Sequence, residues 1–92
     1  MPLAGPVALL AVFSLPRPKG HYRTGRNAHL LKESAPNFPA GRPDLDKLLR
    51  ALLDGLTAGG AWLDDSQVAQ LAATKEWGQP GCRIEIEQLE DS

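Results

Sequence analysis

Three aspartates in the second half of the chain, Asp44, Asp46 and Asp65, have the residue type and spacing that bear most directly on chemistry. Asp44 and Asp46 flank a single leucine at the start of an apolar-periodic stretch, where backbone and side-chain directions can bring two carboxylates into one small volume. Like charges held that close repel, and one carboxylate tends to keep its proton unless a shared cation holds both ionised. Mg²⁺ suits such a site, since it accepts one or two carboxylates, keeps several waters and takes its other ligands from phosphate oxygens. Bound there, it can polarise a phosphorus centre, steady a departing oxyanion and acidify a water, so the constellation points to phosphoryl chemistry. Each acid also has a plain structural use. Asp44 suits an N-cap, Asp46 faces a helix dipole, the Asp64-Asp65 pair is ordinary turn chemistry, and Asp54 stands four residues after Arg50 as a solvated ion pair would. Other metal chemistry has less to build on. Cys82 is the single cysteine, which excludes an intramolecular disulfide, and His21 and His29 have no acid or thiol at a zinc spacing.

These side chains need elements to position them. Leu45, Leu48, Leu49, Leu52, Leu53 and Leu56 recur at helical spacing and predict a helix that begins at an Asp44 N-cap and stops at Gly59-Gly60. Its opposite face carries Asp46, Lys47, Arg50 and Asp54. Residues 61–66 (AWLDDS) read as a corner. Upstream, residues 6–15 (PVALLAVFSL) form a short apolar run bounded by Pro6 and Pro16, read as a strand buried on both faces. Downstream, RIEIE from Arg83 to Glu87 alternates as a strand with one wet face, after a turn marked by Gly78, Pro80 and Gly81. Residues 66–77 carry both helix and strand signals, and the preferred reading is a C-terminal hairpin over residues 67–89 with this segment as its first arm. The expected fold is α+β, a small mixed sheet of the N-terminal strand plus that hairpin, packed on one leucine-rich helix in a single domain over 1–92.

Between strand and helix, residues 16–43 hold five prolines and three glycines and predict an exposed loop. A loop this long in a small domain is more often functional than idle. It also carries most of the charge asymmetry hidden by a net charge of −1. Arg17, Lys19, Arg23, Arg26, Lys32 and Arg42 stand against one acid, Glu33, before Asp44, whereas four bases face ten acids from Asp44 onward. A basic segment beside an acidic one is what a metal-dependent nuclease needs, with cations for the phosphate backbone and carboxylates for the metal. Charges clustered on solvated loops would look the same. At 42 % apolar and 23 % charged residues the composition is that of an ordinary folded domain, small enough that a partner subunit would help its stability. The apolar run is too short for a membrane span and no Lys or Arg precedes it as in a secretory signal, so the cytoplasm is the expected location.

The whole block RPDLDKLLRALLDGLTAGGAWLDDSQV, Arg42 to Val68, resembles the RusA family of Holliday-junction resolvases, the crossover junction endodeoxyribonucleases. The shared pattern is D-x-D at a helix start, a base six residues after the first Asp, then D-x-L-T-x-x-G-x-x-x-D-D. The resemblance implies that Asp44, Asp46 and Asp65 hold the metal, Mg²⁺ with Mn²⁺ possible, and that Asp64, the acid beside Asp65, is a further metal residue. Arg50 stands where the family commonly has a catalytic lysine; it keeps the charge but loses the capacity to shuttle a proton, and is read as stabilising charge on the phosphate. Lys75 matches a basic position in the following strand, which favours strand there and offers a second phosphate contact. Upstream, the loop resembles the proline-rich basic loop of phage and prophage resolvase-like proteins. It nominates Lys19, Arg23, Arg26, Lys32 and Arg42 as DNA-binding, with His21 and Tyr22 placed to stack at an opened junction.

The resemblance implies a homodimer that presents two identical sites to a four-way junction and nicks two strands of like polarity in DNA recombination and repair. Family members usually begin with a further strand and helix ahead of the one that Val7 to Leu15 matches, so the chain reads as an N-terminally short variant with an open sheet edge. Two other readings stay open: an inactive junction- or DNA-binding fragment, and a small phage interaction protein whose acids are only caps.

Overall fold

The computed structural model describes residues 1–90 and contains three strands and one α-helix: β1 Val7–Leu15, α1 Leu45–Ala58, β2 Val68–Trp77 and β3 Gly81–Gln88. The strand order is β2-β1-β3, with β1 parallel to β2 and antiparallel to β3. The architecture is α+β with a mixed sheet and one helix, as the sequence implies. A parallel pair requires a long crossover, and the basic loop together with α1 supplies it.

The expected C-terminal hairpin is corrected by this order. Both arms are strands, but they flank β1 and do not pair with each other. Two physical facts decide this. The run from Val7 to Phe13 is apolar on both faces, and at an edge it would leave a hydrophobic template unpaired, so it takes the centre. The turn after Trp77 is also long enough to pass over a strand: four residues from Trp77 to Gly81 reach about 13 Å, against roughly 9.5 Å for two strand spacings. Gly78 crosses the end of β1 and donates its N–H to the Leu15 carbonyl at 2.9 Å.

Val7, Leu9 and Trp62 form the buried centre, and Leu49, Leu53 and Leu56 of α1 pack on it together with Ile84 and Ile86 of β3. The helix begins and ends where its sequence signals stand, with Asp44 at the N-cap and Gly59 at the C-cap. Its C-terminus is a Schellman motif, in which Ala61 N–H bonds the Leu56 carbonyl at 3.0 Å and Gly60 N–H bonds that of Thr57 at 3.1 Å. The motif needs a left-handed residue, and Gly60 supplies φ +83°. The chain therefore reverses at once and drops Trp62 into the core, 1 % exposed, with its indole N–H donated to Thr57 Oγ1 at 2.8 Å. No helix among the described residues is long and apolar enough to cross a membrane.

The radius of gyration is 17.2 Å, against about 12 Å for a compact domain of this length. The longest dimension, 57 Å, exceeds what a ten-residue strand or a fourteen-residue helix can span.

Candidate metal centre and basic loop

The Asp64-Asp65 corner is built by a side chain that sequence reasoning did not single out. Gln67 Oε1 accepts the N–H groups of Leu63 and Asp64 at 2.8 and 2.9 Å, while its Nε2 donates to the carbonyls of Leu3 and Gly5 at 3.0 and 2.9 Å. All four bonding positions are directed at backbone, and they tie the N-terminal segment to the corner. Asp64 completes a capping box with Gln67 at the start of a 3₁₀ turn, Asp65–Gln67. Its Oδ1 accepts Ser66 N–H at 2.8 Å, and the Ser66 amide, followed by the Ser66 hydroxyl, holds its carboxyl below the usual value of 3.8. The D-x-x-Q spacing of a capping box was legible, and it places the cap at Asp64.

Held by this turn, Asp65 faces α1. It lines an open concavity of about 300 Å³ with Asp46, Arg50 and Asp54, floored by Leu49 and Leu53. Asp46, Arg50 and Asp54 are four residues apart on one helix face, the spacing that stacks side chains one turn above another. Three exposed carboxylates share the space with one guanidinium, so the surplus charge is negative and a cation is the natural complement.

Asp44 lies next to this group and not in it. It lines an adjoining concavity with Arg42, Pro43 and Lys47, and its Oδ2 is 3.6 Å from Lys47 Nζ. Although Asp44 occupies the N-cap, its side chain makes no capping bond and its carboxylate is half exposed. The exposed Lys47 ammonium, one helical turn on, is its ion-pair partner. Among the described residues no three acidic, histidine or cysteine side chains converge closely enough to hold an ion in this arrangement. The donor chemistry still fits a hard divalent cation, because Mg²⁺ requires only one or two carboxylates with water and phosphate oxygens for the rest. Lys75 is not turned to solvent. Its ammonium donates to the carbonyls of Gly41 at 2.7 Å and Pro43 at 3.0 Å.

The basic loop has internal order. Residues 21–32 form a small antiparallel pair, with a bridge between Tyr22 and Leu31 and bonds from Arg23 N–H to the Leu30 carbonyl and Lys32 N–H to the His21 carbonyl. Trp77 at the end of β2 anchors it. The Trp77 indole donates to the Pro36 carbonyl at 3.1 Å, Arg17 lies over the ring at 5.3 Å, and His21 meets it edge-on at 5.1 Å. His21 and Arg17 are therefore engaged in holding the loop. Lys19, Arg23, Arg26, Lys32 and Arg42 are exposed, and Lys19, Tyr22 and Arg23 line a concavity of about 410 Å³. Arg23 also donates from Nε to the Leu31 carbonyl at 3.2 Å.

The family model described as endodeoxyribonuclease RusA matches residues 1–87. Similar curated proteins named crossover junction endodeoxyribonuclease RusA occur in Escherichia coli K12 and in Shigella sonnei, and one occurs in Enterobacteria phage 82. Each is 44 % identical over 45 residues, a segment that is 49 % of this chain and 38 % of the relative. The match thus spans well under half the length of those proteins.

Proposed function

The chain belongs to the RusA family of endodeoxyribonucleases, and from that premise we propose that it cuts the phosphodiester backbone of four-way DNA junctions with the help of a divalent cation. The observation that carries this reading is the meeting of Asp46 from α1 and Asp65 from the corner, nineteen positions apart in the chain, around Arg50 in one concavity.

Asp46 and Asp65 would hold the cation, with Asp44 as a further ligand, since its exposed pairing with Lys47 is worth little. When bound, the cation supplies positive charge to the scissile phosphate and acidifies nearby water. Arg50 stays charged throughout and neutralises charge that develops on the phosphate oxygens. Asp64 shapes the turn that aims Asp65. The loop cations Lys19, Arg23, Arg26, Lys32 and Arg42 contact backbone phosphates, so affinity falls with salt while selectivity follows junction shape. A homodimer places two such sites on one junction and gives paired cuts by symmetry. Mg²⁺ is the expected metal, Mn²⁺ a working substitute, and the cytoplasm the expected compartment.

The test is a synthetic four-way junction incubated with the purified chain, with and without Mg²⁺. Nicking that needs Mg²⁺ is expected, and Asp46→Asn should abolish it while leaving junction binding intact; unaltered cutting by that variant rejects the assignment. Mg²⁺ should also raise the melting temperature of the wild type by mass action, an effect that Asp46→Asn loses. A second reading, a junction-binding protein that does not cut, draws on the outward position of Asp44. Binding without metal-dependent nicking would select it.

A further inference from the structure

Lys75 is a half-buried cation on β2, paired in register with Phe13 on the face of the sheet that packs against α1. Its two hydrogen bonds go to backbone carbonyls on either side of Arg42. Among the described residues these are the only hydrogen bonds recorded for the segment from Asn37 to Pro43. The Pro43 carbonyl belongs to the same peptide unit as the Asp44 N–H, so a bond that fixes this oxygen fixes the plane on which Asp44 hangs. On the other side, the Asp44 carbonyl accepts Leu48 N–H at 3.1 Å as the first bond of the helix. Asp44 is thus clamped from both neighbouring peptides, upstream by Lys75 and downstream by α1, while its carboxylate is left free of any cap.

We infer that Lys75 is a positioning residue, which orients the Pro43–Asp44 peptide so that Asp44 offers its carboxylate to a divalent cation, and that it is not a contact to DNA phosphate. The inference rests on the reading above that Asp44 takes part in metal binding. An ammonium that gives two of its three N–H groups to carbonyls has little left for a phosphate. Bonds from a charged donor are also the strong class, suited to holding a segment with few ties of its own. Lys75 makes no bond to the Asp44 carboxylate and acts on it through the Pro43 carbonyl, one step further out than the partners that bond a ligand directly in metal sites.

Mn²⁺ binding followed by electron paramagnetic resonance tests this without reference to cleavage. Lys75→Met should weaken Mn²⁺ binding by about tenfold, the low end of the cost of losing a partner bonded to the ligand itself, because Lys75 acts through the backbone. Lys75→Arg, whose fork can serve both carbonyls, should recover most of it. On an Asp44→Asn background, Lys75→Met should cost nothing further, because the two act through one ligand. Junction affinity in EDTA should be the same for wild type and Lys75→Met. If Lys75→Met does not give a cooperative melt, Lys75→Gln, which reaches one carbonyl at most, should show a partial loss. Wild-type protein that binds no Mn²⁺ would sink the metal reading itself. Wild-type binding matched by Lys75→Met, a full loss on the Asp44→Asn background, or weakened junction binding in EDTA would each overturn the positioning role alone.

Discussion

Gln67→Glu isolates the device that holds the acidic corner. The substitution keeps the shape of the side chain and the oxygen that accepts Leu63 and Asp64 N–H, but it replaces the donor group facing the Leu3 and Gly5 carbonyls with a second oxygen. Two hydrogen bonds at about 1 kcal/mol each are lost, and two carbonyls near 3 Å now face a carboxylate oxygen. Gln67 is only half buried and water reaches part of the site, so the repulsion is damped and the net cost at neutral pH should be about 2–3 kcal/mol. A domain of this size is stable by roughly 5–15 kcal/mol, so the loss is a large share, and the melting temperature should fall by about 10 °C or more. The pH dependence gives a second check. Facing carbonyls, the introduced carboxyl should have a folded pKa above its unfolded value of about 4.3. Protonation restores one donor, so the deficit is complete above the folded pKa and shrinks as pH falls through it. Urea denaturation of both proteins at neutral pH and near pH 4.5 measures the difference. A variant within about 0.5 kcal/mol of wild type at neutral pH, or a deficit unchanged on acidification, would refute the account, since surface substitutions lacking such partners stay within that margin.

Asp64 is held below its usual 3.8 by Ser66, so its contribution to stability is present above that pH and is lost as pH falls through the lower folded value; Asp64→Asn should therefore flatten melting temperature against pH below 3.8. Leu9→Ala removes a side chain that is 2 % exposed in the central strand and should cost about 3 kcal/mol by denaturant titration, with a loss under about 1 kcal/mol showing that the core can collapse around the gap. Trp77→Ala removes the anchor shared by Arg17, His21 and Pro36, and trypsin should then cut within residues 17–32 markedly faster than in the wild type; equal rates would mean the loop holds itself. Replacing Arg23 and Arg26 together with Ala should lower the salt slope of junction binding by about 2, and an unchanged slope would clear the loop of phosphate contact.

Much of the molecule is written locally. The nine-residue apolar run, the leucine periodicity of α1, the N-cap position at Asp44 and the glycine stop at Gly59-Gly60 each depend on neighbours within a few residues, and each element has the bounds its sequence implies. The D-x-D and D-D block likewise identified the family from the chain alone. Strand pairing was not legible, because it is settled by competition: β1 is apolar on both faces and takes the centre, and a turn that looked like a hairpin passes over it. The site divides in the same way. Residue types nominated the carboxylates, but the bonds that hold the backbone beside them are remote in sequence, with Gln67 bonded to Leu3 and Gly5 and Lys75 to Gly41 and Pro43. Local pattern fixed what each segment is. Only the folded chain decided which carboxylates share a concavity, because backbone carbonyls carry no sequence signal and become partners only when tertiary packing brings them within reach.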